Sequence, residues 1–165
     1  MLRVGKTRAA SLVALLVVTA GVGLPGSVKA AGAELITNEI VNTPPDCSSV
    51  AASPSVLQRP SRQLHTVTLT GATDPEGPVT IAVTGVTQDE PVGDAPDAAS
   101  GGSADQVQVR AERDGRGDGR VYRITFTATD ADGGTCSGSV IVSVPHHEGA
   151  PTVDSGNSYD SFGQV

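Results

Sequence analysis

From residue 65 to residue 144 apolar and polar residues change places at every second position, segment after segment, and no useful stretch repeats with helical spacing. Side chains that switch sides with each residue belong to strands with one buried and one wet face. Residues 65–70 (HTVTLT) put Val67 and Leu69 on one face, and residues 79–84 (VTIAVT) put Val79, Ile81 and Val83 opposite Thr80 and Thr84. Residues 107–112 set Val107, Val109 and Ala111 against Gln108, Arg110 and Glu112. Residues 121–129 set Tyr122, Ile124, Phe126 and Ala128 against Arg123, Thr125 and Thr127. Residues 136–144 align Cys136, Gly138, Val140, Val142 and Val144.

A shorter strand at 49–52 and a further one at 85–88 bring the count to about seven in roughly 100 residues, the pattern of an all-β, immunoglobulin-like antiparallel β-sandwich. A small closed barrel has the same strand spacing and is the structural alternative. The Gly- and Asp-rich stretches 113–120 (RDGRGDGR) and 130–134 (DADGG) are expected to close hairpins, since both residues tolerate positive φ. Residues 91–105, rich in Pro, Ala, Gly and Ser, read as a long exposed loop.

The flanks follow other rules. Arg3, Lys6 and Arg8 precede an apolar run over 9–20, and Val28-Lys29-Ala30 places small residues at the −3 and −1 positions of a cleavage site, with Ala33 the alternative. That apolar run falls short of the roughly 20 residues a membrane span requires. The expected organisation is therefore a signal peptide over 1–30, a linker over 31–43, the sandwich over 44–145 and a disordered tail over 146–165. Removal of the leader leaves seven arginines against all eighteen acids, and the formal charge moves from −7 to −11. Such a surface repels nucleic acid and anionic membrane, so neither is expected as a partner after signal cleavage.

Export also changes what the two cysteines mean. An even number in an oxidising compartment points to a disulfide, and Cys47 and Cys136 allow one pairing. No nucleophile motif surrounds either of them, and His65, His146 and His147 form no recognisable catalytic array, so no enzyme is expected and no catalytic residue is assigned.

Three strings carry a family likeness: Pro44-Pro45-Asp46-Cys47, Gly71-Ala72-Thr73-Asp74-Pro75-Glu76-Gly77, and Phe126-Thr127-Ala128-Thr129-Asp130-Ala131-Asp132-Gly133-Gly134-Thr135-Cys136. Over roughly residues 44–145 the chain resembles the HYR modules of secreted proteins, and the PKD and cadherin-like modules found beside bacterial exoenzymes and adhesins. The resemblance implies an immunoglobulin-like sandwich acting as a spacer or adhesion module, with an extracellular protein or polysaccharide as its partner.

Three constellations could carry chemistry. Asp74 and Glu76 after the second strand, and Asp130 and Asp132 between the last two, are expected on one end of the sandwich beside Asp46. Together they would offer oxygen ligands of the kind Ca²⁺ takes, and the cadherin-like resemblance points the same way; the competing reading is that each Asp bonds its own turn. No other cofactor is expected. Arg116, Gly117 and Asp118 form an RGD tripeptide in a Gly-rich turn, a candidate for protein binding. His146-His147-Glu148 follows the last strand and reads as solvated polar sequence.

Overall fold

The computed structural model describes residues 41–163 with the exception of 59 and 94. The expected signal peptide, and the linker up to residue 40, lie outside the described residues. The described chain has eight strands and no helix: β1 Ala51–Ser53, β2 Leu64–Thr70, β3 Thr80–Gln88, β4 Ala98–Ser100, β5 Gln106–Arg110, β6 Arg120–Thr129, β7 Thr135–Val144 and β8 Tyr159–Asp160. They form two antiparallel four-stranded sheets, in the orders β1-β2-β5-β4 and β7-β6-β3-β8. With the first seven strands lettered in chain order, these sheets are the ABED and GFC layers of a constant-type immunoglobulin sandwich, with β8 added outside the third strand. After a cis Ser53-Pro54 bond the chain leaves the first sheet, and Val56 forms a parallel bridge with Ser143 on the second.

The alternating residues meet between the layers. Val67, Leu69, Val107, Val109 and Ala111 from one sheet pack with Val86, Tyr122, Ile124, Phe126, Val140, Val142 and Val144 from the other. The phase of β3 is the exception. Ile81 and Val83 pack against the core, yet the next buried residue is Val86, three positions on. The register against β6 shifts between Val83 and Gly85, so Thr84 is an extra residue and everything after it changes face. Residues 85–88 thereby continue β3 instead of forming a strand of their own.

Phe126 sits over Gly138 of the neighbouring strand, where an added Cβ would lie 3.0 Å from the ring's Cζ. Glycine at 138 is what lets the ring lie flat on β7. The disulfide is formed: Cys47 bonds Cys136 across a sequence separation of 89, with Cα atoms 6.0 Å apart. It ties the segment before β1 to the start of β7.

Three expectations are corrected. Residues 113–120 do not close a hairpin, because β5 and β6 belong to different sheets and the stretch is a corner between layers. Residues 91–105 are not a structureless loop, since they contain β4 and bury Asp97 and Ala98. The tail is docked where disorder is expected: β8 pairs with Thr87 and Gln88, and the Ser155 amide and hydroxyl donate to Asp89. The Ser161 amide donates to the Val86 carbonyl, and the Ser161 carbonyl accepts from the amides of Asp97 and Ala98. Backbone bonding of this kind needs no apolar side chains, which is why composition gives no sign of it.

Truncation of the single core phenylalanine, Phe126→Ala, is expected to cost about 3–5 kcal/mol in chemical denaturation; a loss below about 1 kcal/mol contradicts its placement. Reduction of the disulfide is expected to lower stability by up to roughly 4–5 kcal/mol, the chain-entropy figure for so long a loop. An unchanged denaturation midpoint after complete reduction would speak against that structural role.

Candidate functional site

The two ends of the sandwich differ in chemistry. Thr80, Thr129 and Thr135 stand in register at one end, and Gln88, Tyr122 and Val142 toward the other. The acidic turns and the disulfide occupy the first end. A cluster of buried charge occupies the second.

At the first end the expected carboxylates share a rim, and three of them, Asp46, Asp74 and Asp130, bond the amides of their own turns. Asp74 Oδ1 accepts from the amides of Glu76 and Gly77, at 2.8 and 3.1 Å. Asp130 Oδ1 accepts from the amides of Asp132 and Gly134, both at 2.8 Å, and its Oδ2 accepts from Asn42 Nδ2 at 2.9 Å. Asp46 Oδ1 accepts from the Ser48 amide, and Glu76 Oε1 from the Thr43 hydroxyl. The amide bonds are turn caps, which Asp makes wherever its side chain can reach the amide two residues on, while the Asn42 and Thr43 bonds tie the incoming chain to the rim. Two oxygens on this rim, Asp74 Oδ2 and Asn42 Oδ1, are buried without a partner among the described residues. Among the described residues no three or more His, Cys, Asp or Glu are placed to hold a metal ion. The four carboxylates thus do not converge into a Ca²⁺ cage.

These bonds shift two titrations. The Asn42 amide, with the Gly134 and Asp132 amides behind it, holds the Asp130 carboxyl below its usual range against the opposing effect of burial. The Ser48 amide and hydroxyl do the same for Asp46.

At the second end Arg120 is the hub. Its side chain is 6% exposed, its Nε lies 2.9 Å from Glu90 Oε2, and its Nη1 lies 2.9 Å from Asp97 Oδ2. Asp97 Oδ1 also meets Arg110 Nε at 3.2 Å, while Gln88 Nε2 donates to Asp97 Oδ2 at 2.8 Å. Arg110 spends its other nitrogens on the carbonyls of Arg62 and Pro96. The Tyr122 hydroxyl donates to the Arg110 carbonyl at 2.8 Å, a link between β6 and the end of β5 of the kind found at the tyrosine corner of immunoglobulin sandwiches. Burial pushes the Tyr122 hydroxyl up to about 12, against the pull of Arg120. Burial also works against the charge on Arg120, but Tyr122, Asp97 and Glu90 outweigh it and the guanidinium is held above its ordinary value.

This cluster is absent from the expected sites, although the alternation contains a sign of it. Arg120 falls in the core-facing phase of β6 with Tyr122, Ile124 and Phe126, and Gln88 falls in phase with Val86. A charge in an apolar phase needs a buried partner. The partners, Glu90 and Asp97, come from a stretch that reads as loop.

The groove over the cluster, about 560 Å³, is bordered by Glu90, Asp97, Arg110, Arg113 and Arg120. With Arg62, Glu112 and Asp114 its lining holds four arginines and four acids, and the pairs of Arg110 and Arg120 with Asp97 and Glu90 bind the segment that carries these acids to both sheets. The RGD residues Arg116, Gly117 and Asp118 are exposed on the neighbouring corner, and the loop is held by the Asp114 amide donating to the Glu90 carboxylate. Gly119 ends it with a φ of 105°. His146 Nε2 lies 3.0 Å from the Gly115 carbonyl, and the His146 carbonyl accepts from Arg113, so this histidine buttresses the same loop.

Arg120→Ala is expected to cost about 3–5 kcal/mol, because it leaves Asp97 and Glu90 buried without their cation. Arg123→Ala, which breaks the half-exposed pair with Asp154, is expected to cost under about 1 kcal/mol. Equal losses in denaturation would contradict the division between buried and surface pairs. The lowered carboxyls give a pH dependence with a definite sign. A group whose folded pKa lies below its unfolded value of about 4 stabilises the fold above that pH, and the contribution is lost as pH falls through the folded value. Melting temperature is therefore expected to drop below about pH 4, with a shallower drop in Asp130→Asn; an identical acid profile for that variant refutes the assignment.

Comparison of the chain with protein-family models, with curated proteins and with solved structures finds no match, so what it does is argued from its own residues.

Proposed function

We propose that the chain is a secreted, non-catalytic immunoglobulin-like module that binds an extracellular protein or polysaccharide in adhesion. The observation that carries this reading is the use to which the buried charge is put. Arg120, Arg110, Asp97 and Glu90 bond to one another and to backbone, fastening the two sheets and the 89–97 segment together. Catalytic sites arrange ionisable groups so that one remains free to exchange a proton or attack; here the pairing serves rigidity, which suits a module that presents a surface. The disulfide, and the lack of any membrane-crossing helix among the described residues, are compatible with an extracellular location. The basic and apolar leader supports secretion, with cleavage after Ala30 or Ala33.

The likeness to HYR, PKD and cadherin-like modules supports adhesion as the role. The RGD corner, Arg116, Gly117 and Asp118, is a candidate contact because it is exposed on a braced loop. We further propose that the module works without a bound cation, since Asp46, Asp74 and Asp130 already accept from the amides of their own turns.

The test is binding of the labelled, isolated protein to the surface of its producing cells and to their purified wall polysaccharide. Saturable binding to either is expected, and its failure on both up to about 100 µM, above the range of weak specific association, would reject the reading. Millimolar Ca²⁺ is expected to leave the melting temperature unchanged, because a ligand stabilises only the state that binds it. A rise that saturates with Ca²⁺ would replace the cation-free reading with a cadherin-like one.

A further inference from the structure

Each sheet has two edges, and the chain treats them unequally. Three of the four end in very short strands: β1 and β4 have 3 residues each, and β8 has 2. Short edge strands are one way in which proteins prevent pairing with other chains. The fourth edge is β7, with 10 residues and an unbroken register against β6 from Thr135 to Val144. It has no bulge, no proline and no charged side chain along its whole length.

The direction of its free backbone groups follows from one contact. The Ser143 amide donates to Ser55 and its carbonyl accepts from Leu57, so Ser143 turns its backbone away from β6. In an antiparallel ladder this orientation repeats every second residue. Ile141, Ser139 and Ser137 therefore also turn outward, and among the described residues their outward groups have no backbone partner. The Val56 bridge covers the Ser143 end alone. Ser137, Gly138, Ser139 and Ile141 are all exposed.

We propose that β7 is the pairing edge for a second copy of this chain, joined antiparallel about a two-fold axis at Ser139. Ser139 then pairs with its own counterpart and Ser137 with Ile141 of the second copy, giving about six backbone hydrogen bonds and one continuous sheet through both copies. The two-fold spacing of Ser137, Ser139 and Ile141 suits a second copy, and charge limits where two copies can meet. The chain carries a formal −7, so two copies repel over most of their surfaces. Along β7 the cross-strand neighbours on its outer face are Thr129, Thr127 and Thr125, and Arg123 opposite Ile141, whose charge is matched by Asp154, so two copies can approach here without an unpaired carboxylate on either side. The side chains at the axis are serine and glycine, which allow close approach. This inference goes beyond the adhesion reading and holds whether or not an extracellular ligand exists.

The test is the solution mass of the isolated protein, together with hydrogen exchange at single amides. A dimer is expected, with the Ser137, Ser139 and Ile141 amides protected at high concentration and exposed on dilution to monomer. Ser139→Pro removes the outward N–H at a position where an edge tolerates proline, and Ser139→Lys places two cations at the axis. Both variants are expected to be monomers that still melt cooperatively. If either fails to fold, the concentration dependence of the wild-type amides decides the matter. A wild-type monomer at about 100 µM, well above micromolar association, overturns the proposal. So do folded variants that remain dimeric, and so does protection of the three amides in the dilute monomer, which would mean that the chain's own residues cover the edge.

Discussion

The contact between the two inner faces is the constraint from which the rest of the structure follows. A domain with two core aromatics, Tyr122 and Phe126, must fill the space between its sheets mainly with valine, leucine and isoleucine. Such side chains fill a layer only when every strand holds its phase, because a slip of one residue would turn a whole strand inside out. The bulge at Thr84 follows from this requirement. It lets Ile81 and Val83 serve the core at one end of β3, and Val86 with Gln88 serve it at the other. Gly138 belongs to the same economy of space, since a Cβ there would crowd the ring of the one core phenylalanine.

The apolar layer thins out at both ends, and each end is closed by different chemistry. At one end a covalent bond, Cys47 to Cys136, is accompanied by aspartates that cap their own turns. At the other, Arg120 enters the core-facing phase and draws Glu90 and Asp97 over the layer, and the Tyr122 hydroxyl reaches the backbone of β5. Buried charges are costly unless paired, so this closure fixes the 89–97 segment in one arrangement. The docked tail depends on the same arrangement, since the Asp97 and Ala98 amides donate to the Ser161 carbonyl and Asp89 accepts from the Ser155 amide.

What was legible in the sequence was what side-chain period encodes. The core faces of β2, β5, β6 and β7 follow directly from alternation, and so does the sandwich of about seven strands. The disulfide followed from the count of cysteines and the leader. Less was legible where backbone bonds or partner choice decide the structure. The tail reads as disordered because Ser155 and Ser161 are polar and small, yet their value lies in main-chain geometry. The 113–120 stretch has hairpin composition, but no local signal says that the strands on its two sides belong to different layers. Arg120 could have been singled out by its phase, whereas Glu90 and Asp97 could not, because loop residues have no period. The aspartates of the acidic rim are legible as turn formers, and Asp74 and Asp130 do bond the amides of their own turns, but an aspartate in a turn is written the same way whether it bonds an amide or a cation.

The two sheets stay separate ladders, which distinguishes the sandwich from a closed barrel. The direct measurement is the set of backbone cross-strand nuclear Overhauser contacts in solution. Two ladders are expected, β1-β2-β5-β4 and β7-β6-β3-β8, joined among the described residues by the parallel contact of Val56 with Ser143, the Val83 amide bonded to the Ala104 carbonyl and the Ser161 clasp. A continuous antiparallel ladder running from β1 to β7, or from β4 to β3, would contradict it.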